Sequence, residues 1–94
     1  MLLDKIKKIQ GINHNEFDDT IKMWIQAAEI DLKSVGIVDT LVDNYDSLVQ
    51  SAIITYVLSN LDVTNAELYS NSYFLQKDVL RHTSEYMEDF DGIQ

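Results

Sequence analysis

The side chains in this chain with types suited to chemistry are two histidines, an acidic cluster between Asp39 and Asp46, an adjacent carboxylate pair and a short run of lysines. His14 and His82 are far apart in sequence, and neither has a second strong ligand at metal-like spacing. A turn position for His14 and a helix-flank position for His82 account for both. Asp39, Asp43, Asn44 and Asp46 offer hard oxygen donors. They lack the glycine and the terminal glutamate of a calcium-binding EF-hand loop, so helix capping and solvation explain them better. Asp18 and Asp19 are neighbours, so on a helix they point in different directions and make no paired-carboxylate site. No nucleophile motif or phosphate-cradling glycine loop is present. Cysteine is absent, which rules out a disulfide or a thiolate metal site. The expectation is a protein that is not an enzyme and carries no metal or cofactor.

The totals point the same way. A chain of 94 residues suits one domain with a thin core, to which partners can add stability. Its apolar fraction of 46% is that of a globular protein. The formal net charge is −9, and the one basic cluster is Lys5, Lys7 and Lys8. Binding a phosphate backbone relies on basic patches that release condensed counterions, so the field of this chain repels nucleic acid. A helix-turn-helix reader is disfavoured because no candidate recognition helix is basic. No signal peptide is visible, since Met1-Leu2-Leu3 runs straight into Asp4 and the lysines. The longest uncharged run, Ser47 to Leu61, is too short to span a bilayer.

The elements that position these side chains read as helices throughout. Proline is absent, and the three glycines, Gly11, Gly36 and Gly92, each sit where a helical pattern stops. The pattern predicts an all-α fold, a small bundle of about four to five helices around a central buried one. A first helix covers about Leu2 to Gln10, with Leu2, Leu3, Ile6 and Ile9 on one side. A second begins near Asn13, where Asn13 and Glu16 have capping-box spacing and Asp18 and Asp19 favour the macrodipole. Phe17, Ile21, Trp24, Ile25, Ala28 and Leu32 form its core stripe. The segment from Gly36 to Tyr45 is too apolar for a free linker and is expected to pack as an irregular or short helical turn. Asp46 caps a third long helix, Ser47 to about Asn60, which is apolar on nearly all sides and should be the buried centre. Its core positions include Leu48, Ala52, Ile53, Tyr56 and Val57. Thr64 and Glu67 repeat the capping-box spacing. The helix they start is expected to break near Ser70-Asn71-Ser72, where small polar side chains compete for backbone hydrogen bonds. It resumes from Tyr73 to about Glu88, with Leu75, Val79, Leu80, Tyr86, Met87 and Phe90 on one broad face. Val79 and Leu80 complete the expected core. The whole chain, 1–94, reads as a single domain, with 88–94 a flexible acidic tail.

One departure from a simple core pattern lies in the second helix. Met23, Ala27 and Ile30 form another apolar stripe, roughly opposite the core stripe, with Trp24 at the edge between them. Either the first helix or the 37–45 segment covers that stripe, or it is a subunit interface, the usual meaning of clustered apolar surface. Methionine suits an adaptable contact, and tryptophan an anchor.

Several of these pieces carry a resemblance. The segment Glu16 to Leu32 reads EFDDTIKMWIQAAEIDL, followed by Gly36-Ile37. Then come Asp46-Ser47-Leu48-Val49, Ala52-Ile53 and Tyr56-Val57, with Tyr73 and Leu80 in the last helix. This order, from about Leu2 to Tyr86, resembles the head–tail connector family of tailed bacteriophages, also labelled DNA-packaging proteins. Some members carry an aromatic–polar–basic run after the buried helix, where this chain has Leu58-Ser59-Asn60-Leu61.

The resemblance implies a structural virion protein of a phage or prophage, at the neck between head and tail and in the host cytoplasm during assembly. It implies a ring of identical subunits beneath the portal, which extends the DNA channel after packaging and receives the next tail or head-closure protein. DNA passes through such a ring without specific binding, and acidic charge suits that passage. Met23, Trp24, Ala27 and Ile30 are assigned to a subunit interface, and Glu88, Asp89, Phe90 and Ile93 to a tail that docks on the portal. No membrane partner is expected. The alternative from another class is an acidic regulatory binder, either a DNA mimic or a small helical adaptor of a host protein. It would display a continuous acidic face and need no self-association surface.

Overall fold

The computed structural model describes residues 2–88. The helical periodicity resolves into α1 (Leu2–Gln10), α2 (Asp18–Ser34), α3 (Asp39–Asp43), α4 (Ser47–Leu61) and α5 (Ala66–Arg81), followed by a 3₁₀ turn, Ser84–Tyr86. Among the described residues there is no strand, and the extended pairing is a single antiparallel bridge between Ile37 and Met87. The fold is an all-α bundle. α4 is its centre and packs against α5, α2 and α1. Val49, Ala52, Ile53 and Val57 are fully buried, and Leu58 nearly so. A helix this apolar has no solvent face to spare, so three neighbours must surround it.

Two glycines set the helix ends. Gly11 has φ +69°; its N–H donates to Lys8 O at 3.3 Å, and the Ile12 N–H donates to Lys7 O at 2.8 Å. Gly36 has φ +94° and repeats the pattern, with Gly36 N–H to Lys33 O at 3.0 Å and Ile37 N–H to Leu32 O at 3.3 Å. Both are Schellman caps, in which a left-handed residue lets two trailing N–H groups satisfy the last free carbonyls. Tyr45 does the same after α3 with φ +54°, an uncommon conformation for a bulky side chain. Its hydroxyl donates to Glu29 Oε2 at 2.7 Å, which ties the turn to α2.

Gly36 has a second constraint. A Cβ there would sit 3.0 Å from Met87 Cε, because the C-terminal segment folds back over this turn. Val38 N–H donates to Tyr86 O at 2.8 Å and Glu88 N–H to Gly36 O at 2.7 Å. At Gly11 the same Cβ would meet nothing within 4 Å. Gly36→Ala and Gly11→Ala therefore share the backbone cost of a left-handed alanine, about 1–2 kcal/mol. At Gly36 the added methyl would also push the flexible end of Met87 aside by a few tenths of an ångström, so both variants should lower the urea midpoint by similar amounts.

Several expected boundaries move. α2 starts at Asp18, not Asn13: Lys7 Nζ recruits Asn15 Oδ1 at 2.9 Å, and His14 Nδ1 accepts from the Glu16 N–H at 3.3 Å. These local bonds hold residues 13–17 in a turn instead of a first helical turn. Phe17 becomes the residue before the helix, exposed and edge-on to His14, so it is not a core residue. α5 starts after Asn65, without a Thr64 cap, and runs unbroken through Ser70-Asn71-Ser72. Packing of Tyr69 and Tyr73 against the core outweighs the polar competition there. α5 stops at Arg81, not near Glu88. There Thr83 Oγ1 donates to Val79 O and His82 Nδ1 lies on Asp78 O, both at 2.8 Å, satisfying end carbonyls. Ile9 is exposed because α1 buries only Leu2, Leu3 and Ile6. Gly92, and the tail residues Asp89, Phe90 and Ile93, lie outside the described residues; Glu88 is exposed.

Candidate assembly interface

α2 presents two opposite faces. Ile21, Ile25, Ala28 and Leu32 enter the core, as their 3.6-residue spacing requires. Met23 and Ile30, about half a turn around the axis, are 57% and 68% exposed. No described element covers them: α1 and the 37–45 segment pack elsewhere, on α4 and on the C-terminal end of α2. Ala27 is half-buried beside Ile30. Trp24 is also half-buried, but it packs against the core and belongs to the inner side of its helix.

α5 carries a second uncovered stripe. Leu68, Leu75 and Val79 are exposed, the last two by 69% and 60%. Leu48, in the first turn of α4, is exposed beside them. Val79 and Leu48 therefore leave the expected core list: they sit on the outer side of the α4–α5 contact, where no third helix arrives. With Ser51, Gln76 and the edge of Leu80 they form an open groove of about 250 Å³. Gln76 closes its floor, donating from Nε2 to Thr55 Oγ1 at 3.2 Å and to Ser72 Oγ at 3.3 Å.

On the other side of the α4–α5 contact, a wider groove separates α5 from α2. Ile30 and Phe74 flank it, and Tyr56 and Tyr73 lie at its floor, edge to face at 5.1 Å between centroids. A polar clasp crosses it. Tyr73 Oη donates to Asp31 Oδ2 at 2.5 Å, and Lys77 Nζ donates to the same oxygen at 3.0 Å. The ammonium also sits 5.3 Å from the Tyr73 ring centroid and 5.1 Å from that of Phe74. Partial burial opposes ionisation of Asp31, but the Tyr73 and Lys77 hydrogen bonds outweigh it and hold the carboxyl below its ordinary value. Burial, then the Asp31 carboxylate, pushes the Tyr73 hydroxyl up. Tyr45 is likewise pushed up to about 12, by burial and by Glu29. Both phenols stay neutral donors at neutral pH.

The clasp fixes the orientation of the Ile30 face relative to α5. Its contribution is present above the ordinary carboxyl range and is lost as pH falls through the lowered Asp31 value. Asp31→Asn should cost about 1–2 kcal/mol, the low end for bonds to a charged group because the site is partly open. The variant should also lose stability less steeply than the parent below about pH 4, near the ordinary carboxyl value of 3.8. Urea titrations at pH 7 and pH 3 measure both effects.

The remaining candidates have structural partners. Asp43 pairs with Lys33 at 2.7 Å, and Asp46 Oδ2 caps α4 by accepting from the Leu48 N–H at 3.1 Å. Asp46 also receives the Tyr86 hydroxyl, which raises the Tyr86 value. Asp18 pairs with Lys7 at 2.8 Å and fastens α2 to α1. His82 is exposed beside Asp78 at 3.5 Å. Among the described residues no group of three His, Cys, Asp or Glu could hold a metal ion, and no helix is long and apolar enough to cross a membrane. Comparison with protein-family models, curated proteins and solved structures finds no match to this chain.

Proposed function

We propose that this chain is a structural protein of a tailed bacteriophage or prophage, a ring adaptor between portal and tail that extends the DNA channel after packaging. The observation that carries the reading is the Met23–Ile30 stripe, apolar, helical and uncovered on a domain whose core is complete without it. Contiguous apolar surface of this kind marks a protein–protein contact. A second uncovered stripe on α5 supplies what a ring needs: head-to-tail contacts join two different faces, and closure follows from the rotation between them. The net charge of −9 suits a passage through which DNA slides without adhering. The resemblance of Glu16–Leu32 and the helices after it to phage connectors names the assembly.

In this reading the partners are other copies of the chain, the portal, and the downstream tail or head-closure protein. The protein works in the virion neck and reaches it from the host cytoplasm. It performs no chemistry. The alternative, an acidic regulatory binder, shares the net charge of −9 but does not call for two uncovered apolar stripes. Electron microscopy of the protein mixed with its cognate portal tests the proposal. Ring density coaxial with the portal channel is the expected result, and a portal unchanged by saturating protein would refute it.

A further inference from the structure

We propose that the Met23–Ile30 stripe of one copy seats on the outer face of α5 in the next copy, with the two helices antiparallel and Met23 entering the Leu48–Leu75–Val79 groove. The pairing rests on the assembly reading above and adds the acceptor face, the direction and the register. The two stripes match in length and period. Met23 and Ile30 are seven residues apart, as are Leu68 and Leu75, and both helices run about four and a half turns.

Charge fixes the direction. At 100° per residue, Lys22 and Lys33 lie on one flank of the α2 stripe. Glu67 and Asp78 lie on the flank of the same hand beside the α5 stripe. Facing helices bring flanks of the same hand together only when they run antiparallel. A single antiparallel register then sets Lys22 opposite Asp78 and Lys33 opposite Glu67. In that register Met23 falls between Leu75 and Val79, and Ile30 between Leu68 and Ser72, as knobs into holes. The parallel arrangement places lysines and carboxylates on opposite sides of the contact.

The groove has room. Its volume is about 250 Å³, and an apolar cavity of roughly 150 Å³ already admits benzene. Lys22 makes no ion pair among the described residues, so it is available. Lys33 would exchange Asp43 for Glu67, or bridge the two. The pairs also counter the mutual repulsion of copies that each carry −9. One helix–helix contact lies at the small end of specific interfaces, so two copies pair at high protein concentration and ring closure or a portal scaffold adds to that stability.

The absence of cysteine allows a direct test. Single-cysteine variants are mixed in pairs, one labelled, and oxidised at high protein concentration. Met23→Cys with Val79→Cys, and Ile30→Cys with Leu68→Cys, should form mixed disulfides about tenfold faster than Met23→Cys with Leu68→Cys, through the effective concentration within the contact. Val63→Cys, at the most exposed large apolar position among the described residues, gives the collision rate. Adding Lys22→Glu to the Met23→Cys partner should remove the advantage, and Asp78→Lys on the Val79→Cys partner should restore it. Equal rates for all pairs would overturn the pairing. If rings nonetheless form on the portal, the assembly reading survives and only this interface is wrong; if neither is seen, both fall.

Discussion

Val57→Asp should abolish cooperative unfolding of this protein. Val57 is fully buried in the middle of α4, the one helix that touches α1, α2 and α5. The substitution removes an apolar side chain worth about 1.5–3 kcal/mol of burial. It also places a carboxyl among the apolar side chains of the core. A buried unpaired carboxyl costs several kcal/mol more, whether it stays ionised or takes up a proton. Small domains hold about 5–15 kcal/mol in total, so little or nothing remains. Far-UV circular dichroism should show reduced helicity and a sloping melt with no transition. Val63→Asp, at an exposed loop position, is the control and should stay within about 0.5 kcal/mol of the parent. A Val57→Asp protein with parental helicity and a sharp transition would remove α4 from the centre of the bundle.

Met23→Glu combined with Ile30→Glu should give the opposite result: an intact fold that does not assemble. Both side chains are more than half exposed in the single chain, so glutamate there costs the fold little. In a contact between copies the same carboxylates are buried against Leu68, Leu75 and Val79, and no cation faces them. Two such charges should cost upward of about 3 kcal/mol, a loss of about a hundredfold or more in association. Sedimentation velocity should report a monomer under conditions where the parent assembles, and circular dichroism should superimpose. Unchanged assembly would mean that the α2 stripe is not the contact.

Much of this architecture is legible in the residues alone. The 3.6-residue spacing of Ile21, Ile25, Ala28 and Leu32 leaves one orientation for α2, and the all-round apolarity of α4 leaves it no position but the centre. Gly11 and Gly36 stop helices for a reason that belongs to the backbone, and Asp46 caps α4 where its spacing says. The misjudged boundaries share a different cause. Asn13–Glu16 and Thr64–Glu67 have the spacing of capping boxes, but spacing cannot reveal that Lys7 takes Asn15 or that His14 takes the Glu16 N–H. The antiparallel bridge of Met87 to Ile37 depends on how the chain returns across the bundle, which no local pattern encodes.

The proposed assembly surface divides the same way. Met23 and Ile30 stand out because α2 already has a complete core stripe, so a second one calls for a partner. Leu75 and Val79 do not stand out, because the broad apolar face of α5 reads as core until the positions of α2 and α4 show which half of it is covered. Leu48 reads as core because α4 is apolar on nearly all sides, although its first turn is exposed there. The Asp31–Tyr73–Lys77 clasp joins side chains 42 and 46 residues apart, and only the register of α2 against α5 brings them together.

In the proposed ring, copies meet head to tail through two different uncovered faces. Native mass spectrometry of Ile30→Glu and Leu75→Glu variants, alone and mixed, tests this most directly under conditions where the parent forms its assembly. Each variant has one blocked face and one intact face, so each alone should be monomeric. Their mixture should yield a one-to-one dimer and nothing larger, joined by the intact α2 stripe of one and the intact α5 face of the other. A mixture that stays monomeric, or variants that assemble as the parent does, would contradict it.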